Sequence, residues 1–278
     1  MKETNKSSES SKASTKRGGL SERSARTPWE TPLEEGALID YTLHLADNSL
    51  ILGQRNAEWC GHGPVLEQDI AITNISLDLI GQARNFYQYA AQLKGDGSTE
   101  DTLAYLRKER EFKNCLLVEQ PDNDWAQTLL RQFLFSQYQY VLFQQMQQGK
   151  DEQLAAIAAK SLKEVTYHLR WSSEWVIRLG DGTEESHNRM MKAIDELWRY
   201  TGELFIPADY EKESGIDLTV IKEAWLGKVK VILAEAGLPV PEKTFMQSGG
   251  KDGRHTEHLG YILAELQYMQ RTYPGCEW

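Results

Sequence analysis

Glu164 and His168 are the residues of this chain whose types and spacing most directly suggest chemistry. They lie one helical turn apart within residues 151–179, where apolar side chains recur at steps of three, four or seven and predict an amphipathic helix. On a helical wheel His168 falls inside the apolar face and Glu164 at its edge, so both should point toward the core of the fold. A carboxylate and an imidazole there can bind a metal ion, although buried polar groups more often hydrogen-bond to each other.

The metal interpretation can be compared with the ligand pattern of di-iron helical bundles. Those bundles use a Glu from each of two helices and a Glu-x-x-His unit from each of two others. Here Glu164 is one residue too far from His168, and the position three before the histidine is Val165. Asp78 and Gly81 have the required spacing on an earlier helix, but the carboxylate is shorter and the imidazole is missing. We therefore interpret these four polar or glycine positions as remnants of a metal site and expect no cofactor in this chain.

A glycine-rich stretch, GGKDGRHTEH at 249–258, carries two weaker signals. Lys251, Arg254 and the glycine amides could hold an anion, and His255, Glu257 and His258 could bind a metal ion. A loop that leads into a helix explains the same residues more simply. Metal binding by the two histidines stays an open alternative.

The composition is that of a globular protein, since 40% of the 278 residues are hydrophobic and 26% are charged. The formal net charge of −10 disfavours nucleic acid as a partner, because an acidic surface repels phosphate. We find no apolar run of membrane-spanning length and no signal peptide, and we expect a cytoplasmic protein. Cys60, Cys115 and Cys276 show no pairing pattern and are expected to be reduced thiols.

Apolar periodicity interrupted by glycine and proline predicts an all-α chain. Residues 1–36 are rich in Ser, Lys, Arg and Glu and predict a disordered tail, followed by one domain at 37–278. Helices are predicted over about 37–58, 65–93, 125–148, 151–179, 183–205, 218–236 and 259–272, with a shorter helical segment between 98 and 120. Four long helices with short turns and further flanking helices indicate a ferritin-like four-helix bundle.

Three local features complete the expectations. Thr183 is predicted to cap a helix without a complete capping box, because Ser186 stands where Glu or Gln is usual. The inner stripe of the second helix is predicted to contain Ile70, Asn74, Leu77 and Gly81. The densest basic group, which could form salt bridges or meet a phosphate-bearing ligand or an acidic partner, consists of Arg107, Lys108, Arg110 and Lys113.

Four long stretches resemble a single known family. They are 45–93, which begins LADNSLILGQRN; 109–128, which begins EREFKNCLLVEQPDNDW; 163–186, which begins KEVTYHLRWSSEW; and 249–271, which begins GGKDGRHTEHLGYILAELQ. On these motifs the chain from about 37 to 278 is similar to the PaaC family, the C subunit of the ring 1,2-phenylacetyl-CoA epoxidase. That enzyme is the multicomponent monooxygenase of aerobic phenylacetate breakdown.

The resemblance implies a non-catalytic, ferritin-like subunit that pairs with a related catalytic A subunit, which holds the di-iron centre. It also implies a reductase subunit that uses NADPH, flavin and iron-sulfur groups to deliver electrons. By the same similarity Glu111, Phe112, Lys113 and Asn114 are expected to border the route of phenylacetyl-CoA into the partner. Two other functions stay open: an independent di-iron oxygenase that uses Asp78, Glu164 and His168, and a helical scaffold unrelated to CoA chemistry.

Overall fold

The computed structural model of the chain describes residues 35–212 and 214–276, so the predicted tail lies almost entirely outside the described residues. The helices are α1 (Glu35–Ala57), α2 (Leu66–Lys94), α3 (Glu100–Tyr105), α4 (Trp125–Met146), α5 (Glu152–Gly180), α6 (Glu184–Leu197), α7 (Leu218–Glu235), α8 (Glu257–Leu266) and α9 (Tyr268–Thr272). The described residues contain no β-strand, and none of their helices is long and apolar enough to cross a membrane. The predicted all-α class is confirmed.

α1, α2, α4 and α5 form the bundle, with α1 packed along α2 and α4 packed along α5. Gly53 allows α1 to approach α2 closely, because a Cβ atom there would lie 3.2 Å from Leu79 Cβ. The shorter helices flank the bundle: α3 contacts α2, α6 and α7 contact α4 and α5, and α8 contacts α1. This is the ferritin-like bundle with additional helices that the sequence predicts.

The core is formed by the inner faces of the four bundle helices, which contribute fully buried side chains such as Leu52, Phe86, Phe133 and Val165. Burying one such side chain stabilises a fold by roughly 1.5–3 kcal/mol. Capping side chains fix where the helices begin, since Asp124 and Asp151 accept hydrogen bonds from backbone amides in the first turns of α4 and α5.

The start of α6 corrects one expectation. Thr183 and Ser186 form a complete capping box, in which each side chain accepts a hydrogen bond from the backbone amide of the other residue. A serine hydroxyl can therefore do what the usual Glu or Gln does, because it also accepts a hydrogen bond. The predicted helix over 183–205 also ends early, at Leu197, and continues only as 3₁₀ turns.

The last predicted helix is divided into α8 and α9 at Gln267. The Gln267 side chain is buried, and its Nε2 atom donates to the carbonyl oxygens of Ala104 at 3.3 Å and Arg107 at 3.0 Å. This contact joins segments far apart in the sequence, so a local pattern does not reveal the break.

The predicted inner stripe of α2 is wrong. Ile70 and Leu77 are 52% and 62% exposed, and Asn74 and Gly81 are exposed beside them. The buried face contains instead Ile72, Ile75, Leu79, Ala83 and Phe86. Because α2 carries apolar residues on two faces, periodicity alone does not identify the face that packs in the core.

Candidate functional site

The candidate site lies between α2 and α5, where two polar pairs join the helices. His168 Nε2 donates to Asp78 Oδ2 at 3.0 Å, and Gln82 Nε2 donates to Glu164 Oε2 at 2.9 Å. On each helix the carboxylate precedes the nitrogen-bearing residue by one turn, and the pairing shows that α2 and α5 are antiparallel. His168 and Gln82 are buried, and each carboxylate accepts a hydrogen bond from one of them, although Gln82 Oε1 stays without a partner in the described structure.

The structure brings Asp78, Glu164 and His168 together but places Gly81 elsewhere. Gly81 is exposed, and a Cβ atom there would have no neighbour within 4 Å among the described residues. The residue of α2 that faces Glu164 is Gln82 and not Gly81. Gln82 follows Asp78 at the same spacing as His168 follows Glu164, and this repeat was the signal in the sequence that could have identified it.

These residues do not fit a di-iron carboxylate centre. The positions three before Gln82 and His168 are Leu79 and Val165, which are fully buried and have no donor atom. A di-iron bundle needs carboxylates at those positions. His168 Nδ1 is buried without a hydrogen-bond partner in the described structure. That nitrogen could bind a metal ion, but no group of three or more His, Cys, Asp or Glu side chains is placed to hold one within residues 35–212 and 214–276.

The facing sides of α1 and α4 carry buried amides and a hydroxyl. Asn56 Nδ2 donates to Gln132 Oε1 at 2.6 Å, and Gln132 Nε2 donates to Ser136 Oγ at 2.8 Å. All three side chains are fully buried. The bundle centre is therefore polar in part, but these three side chains bind each other and none of them is a carboxylate.

A second buried cluster is centred on Asp47 of α1. Its carboxylate accepts hydrogen bonds from Tyr87 Oη at 2.5 Å, from the Lys113 backbone amide at 2.8 Å and from both Nη atoms of Arg107. The Arg107 guanidinium also lies 4.2 Å from the centroid of the Phe112 ring. Burial opposes the charge of Arg107, but Asp47 outweighs it and raises the pKa of the guanidinium. This cluster ties the loop after α3 to α1 and α2.

The residues expected to border a ligand route lie in that loop. Phe112 and Asn114 are fully buried and support the loop from inside. Glu111 is exposed, and Lys113 is partly exposed with its Nζ atom 3.2 Å from Asp40. A ligand could therefore reach the side chains of Glu111 and Lys113, whereas Phe112 and Asn114 would act through the backbone they hold.

The predicted basic group is also buried in part and exposed in part. Arg107 is buried and binds Asp47, whereas Lys108 and Arg110 are on the surface. Lys108 lines a cleft of about 370 Å³ between the loop and helices α8 and α9, where Arg271 donates to the Arg107 carbonyl oxygen. Cationic side chains thus remain available next to the exposed part of the loop.

Buried carboxylates hold the glycine-rich stretch that follows α7. Glu203 accepts a hydrogen bond from the Gly249 amide at 2.7 Å, and Glu211 pairs with Lys251 Nζ at 2.8 Å. Gly250 packs so closely against the Asn114 carbonyl that a Cβ atom would collide with it. The Gly249 amide and the Lys251 ammonium, which could have held an anion, are bound by protein carboxylates instead.

His255, which also belongs to the glycine-rich stretch, is hydrogen-bonded through both ring nitrogens. Its Nδ1 atom contacts Glu119 Oε2 at 2.8 Å, and its Nε2 atom contacts the Phe112 carbonyl oxygen at 2.9 Å. Burial lowers the pKa of His255, but the Glu119 carboxylate and the Phe112 carbonyl outweigh burial and hold the pKa above its ordinary value. Since both ring nitrogens face acceptors, the geometry does not favour a metal site at His255 and His258.

The chain matches the family model of the phenylacetic acid catabolic proteins over residues 22–278. It is 50% identical over 246 residues to the C subunit of the 1,2-phenylacetyl-CoA epoxidase of Escherichia coli (strain K12). That alignment covers 87% of this chain and 99% of the Escherichia coli protein. The resemblance seen in the sequence motifs is thus confirmed, and the chain belongs to the family of phenylacetic acid catabolic proteins.

Proposed function

We propose that this chain is the structural C subunit of a phenylacetyl-CoA epoxidase of aerobic phenylacetate catabolism, and that it supports a catalytic A subunit. The 50% identity to the C subunit of an epoxidase, over almost the full length of both chains, supports the assignment to such a complex. The observation that carries the non-catalytic role is the pair Leu79 and Val165, which are apolar and fully buried. A di-iron bundle has carboxylates at these positions.

In this proposal the di-iron centre belongs to the A subunit, and a reductase subunit with flavin and iron-sulfur groups supplies electrons from NADPH. The residues of this chain have a different role. The pairs Asp78–His168 and Gln82–Glu164 join α2 to α5 where a metal centre would otherwise cross-link the helices. One hydrogen bond of this kind contributes about 1 kcal/mol, so the fold does not require a metal to hold the two helices together.

The loop after α3 is the part of this subunit that we assign to phenylacetyl-CoA. Its exposed cations can form charge-assisted hydrogen bonds with the phosphates of CoA. Asp47 holds the loop in one conformation, so a ligand need not order it on binding. The residues assigned to this role are Lys108, Arg110, Glu111 and Lys113, with Phe112 and Asn114 as internal supports.

We also expect the protein in the cytoplasm, without a nucleic-acid partner. Cys60, Cys115 and Cys276 are free thiols, as is usual in a reducing compartment. The net charge of −10 disfavours binding to a phosphate backbone.

Co-expression with the A subunit from the same organism, followed by iron analysis, tests the proposal. We expect the two chains to co-purify, epoxidation of phenylacetyl-CoA to require both, and this chain alone to carry essentially no iron. About two irons per isolated chain, with epoxidation by this chain alone, would identify an independent di-iron oxygenase. Failure to co-purify, with epoxidation unchanged when this chain is omitted, would identify a scaffold unrelated to CoA chemistry.

A further inference from the structure

The outer face of α2 carries an apolar stripe that stays exposed in the described structure. Leu66, Ile70 and Leu77 are 72%, 52% and 62% exposed, and Ile80 is 39% exposed. With Thr73 between them, these residues follow one another at steps of four, three, four and three. This is the heptad spacing of a helix that packs along another helix. We refer to these five residues as the α2 seam.

Gly81 lies beside the α2 seam and has no internal reason to be glycine. It is inside a helix, where glycine is less favourable than alanine, and its φ is not positive. A Cβ atom at Gly81 would meet no other described residue within 4 Å. An exposed helical position without a side chain allows the backbone of a partner to come close.

The border of the α2 seam is acidic, and Arg84, the cation that follows the seam, is itself paired with Glu100. Asp78 follows Leu77 and has a side chain that is 38% exposed, and Glu67 lies three turns earlier on the same side of the helix. A second copy of the chain would bring the same acidic border and a further net charge of −10, which disfavours self-association through this face. A helix with Lys or Arg beside its own apolar seam complements both the shape and the charge.

We propose that the α2 seam is the docking surface for an α-helix of the catalytic A subunit, and that this helix presents an apolar heptad face bordered by basic residues. The identity of the partner rests on the proposed function, whereas the position of the surface rests on the geometry of α2. The seam is also close to the candidate site: Leu77 points outward, Asp78 pairs with His168, and Leu79 points into the core. Docking therefore covers Asp78 and excludes water from its pair with His168.

Leu77→Glu tests the docking surface directly. The dissociation constant for the purified A subunit should rise at least roughly tenfold, as for a central interface residue. The melting temperature of the isolated chain should not fall, because the Leu77 side chain is exposed. Val231→Glu is the matched control: Val231 is 58% exposed on α7, and its substitution should change neither measurement.

Gly81→Ala separates docking from folding. The isolated chain should melt at a higher temperature, because alanine favours the helix and the added methyl group enters open space. The complex should nevertheless weaken several-fold, because the methyl group occupies the place of the partner backbone. Gly227→Ala is the control, since Gly227 is also an open glycine within a helix, on α7 and away from the α2 seam. It should raise the melting temperature and leave binding unchanged.

The outcomes distinguish this inference from the proposed function. If the wild-type chain binds the A subunit and both α2 variants bind equally well, the docking surface is refuted while the proposed function stands. If the wild-type chain does not bind the A subunit, the proposed function fails and the docking proposal fails with it. If Leu77→Glu converts a dimer of the isolated chain into a monomer, the occupant is a second copy and not the A subunit.

Discussion

Asp47→Asn tests whether the buried ion pair with Arg107 holds the loop after α3 in place. Asp47 is fully buried, and its carboxylate binds Arg107, Tyr87 and the backbone of Lys113. Asparagine keeps the shape of the side chain, but it removes the charge that compensates the guanidinium, and its amide nitrogen faces hydrogen-bond donors where one carboxylate oxygen accepted from them. Leaving a buried charge unpaired costs about 3–5 kcal/mol. Because Arg107 retains its contact with the Phe112 ring, we expect the lower end, about 3 kcal/mol.

Urea unfolding of the isolated chain, followed by circular dichroism, measures this free energy. Arg170→Ala, which removes an exposed ion pair with Glu174, is the control and should leave the unfolding free energy nearly unchanged. Adding Arg107→Met to Asp47→Asn should restore at least about 1 kcal/mol, because the double variant has no unpaired buried charge. A loss below about 1 kcal/mol for Asp47→Asn, or no recovery in the double variant, would refute the reasoning.

The other predictions concern the glycine-rich stretch and the exposed loop. His255→Gln should destabilise the chain most below about pH 6.5 and less as the pH rises, because the raised pKa of His255 means that its protonated form stabilises the fold. Urea unfolding at several pH values measures this, and a difference that does not vary with pH would contradict it. Gly250→Ala should lower the melting temperature, because a Cβ atom would collide with the Asn114 carbonyl, and an unchanged value would rule out that close contact. Replacing Arg110 and Lys113 by Glu should raise the KM of the assembled complex for phenylacetyl-CoA several-fold. An unchanged KM would exclude these residues from CoA recognition.

The positions of the helices could be predicted because their signals are local. α4 and α5 begin within one residue of the predicted positions, where Asp124 and Asp151 cap them. Gly95 ends α2 in the left-handed conformation that favours glycine, as the predicted stop after residue 93 requires. The break at Gln267 could not be predicted, because it depends on a contact with residues 104 and 107.

The candidate site could be predicted only in part. Glu164 and His168 were found because a carboxylate and an imidazole on an apolar helical face are conspicuous. Gln82 was missed because an amide is not a chemical signal by itself, although its hydrogen bond to Glu164 places it in the site. The carboxylates around the glycine-rich stretch were also missed, since the bond from Gly249 to Glu203 spans 46 residues and local patterns carry no information on such contacts.

The error in α2 has a physical cause that bears on the docking proposal. Ile72 and Leu79 form one apolar row, and Ile70 and Leu77 form a second row at the same seven-residue spacing. The inner row is explained by burial within the chain, whereas the outer row gains nothing from the described fold and exposes apolar surface to water.

Leu79→Glu should therefore lower the free energy of unfolding by several kcal/mol, because it buries a charge, and should weaken binding only through misfolding. Leu77→Glu should leave that free energy unchanged and weaken binding in the folded chain. Equal effects of the two substitutions on the stability of the isolated chain would mean that the outer row already packs against part of this chain, and the need for a partner helix would disappear.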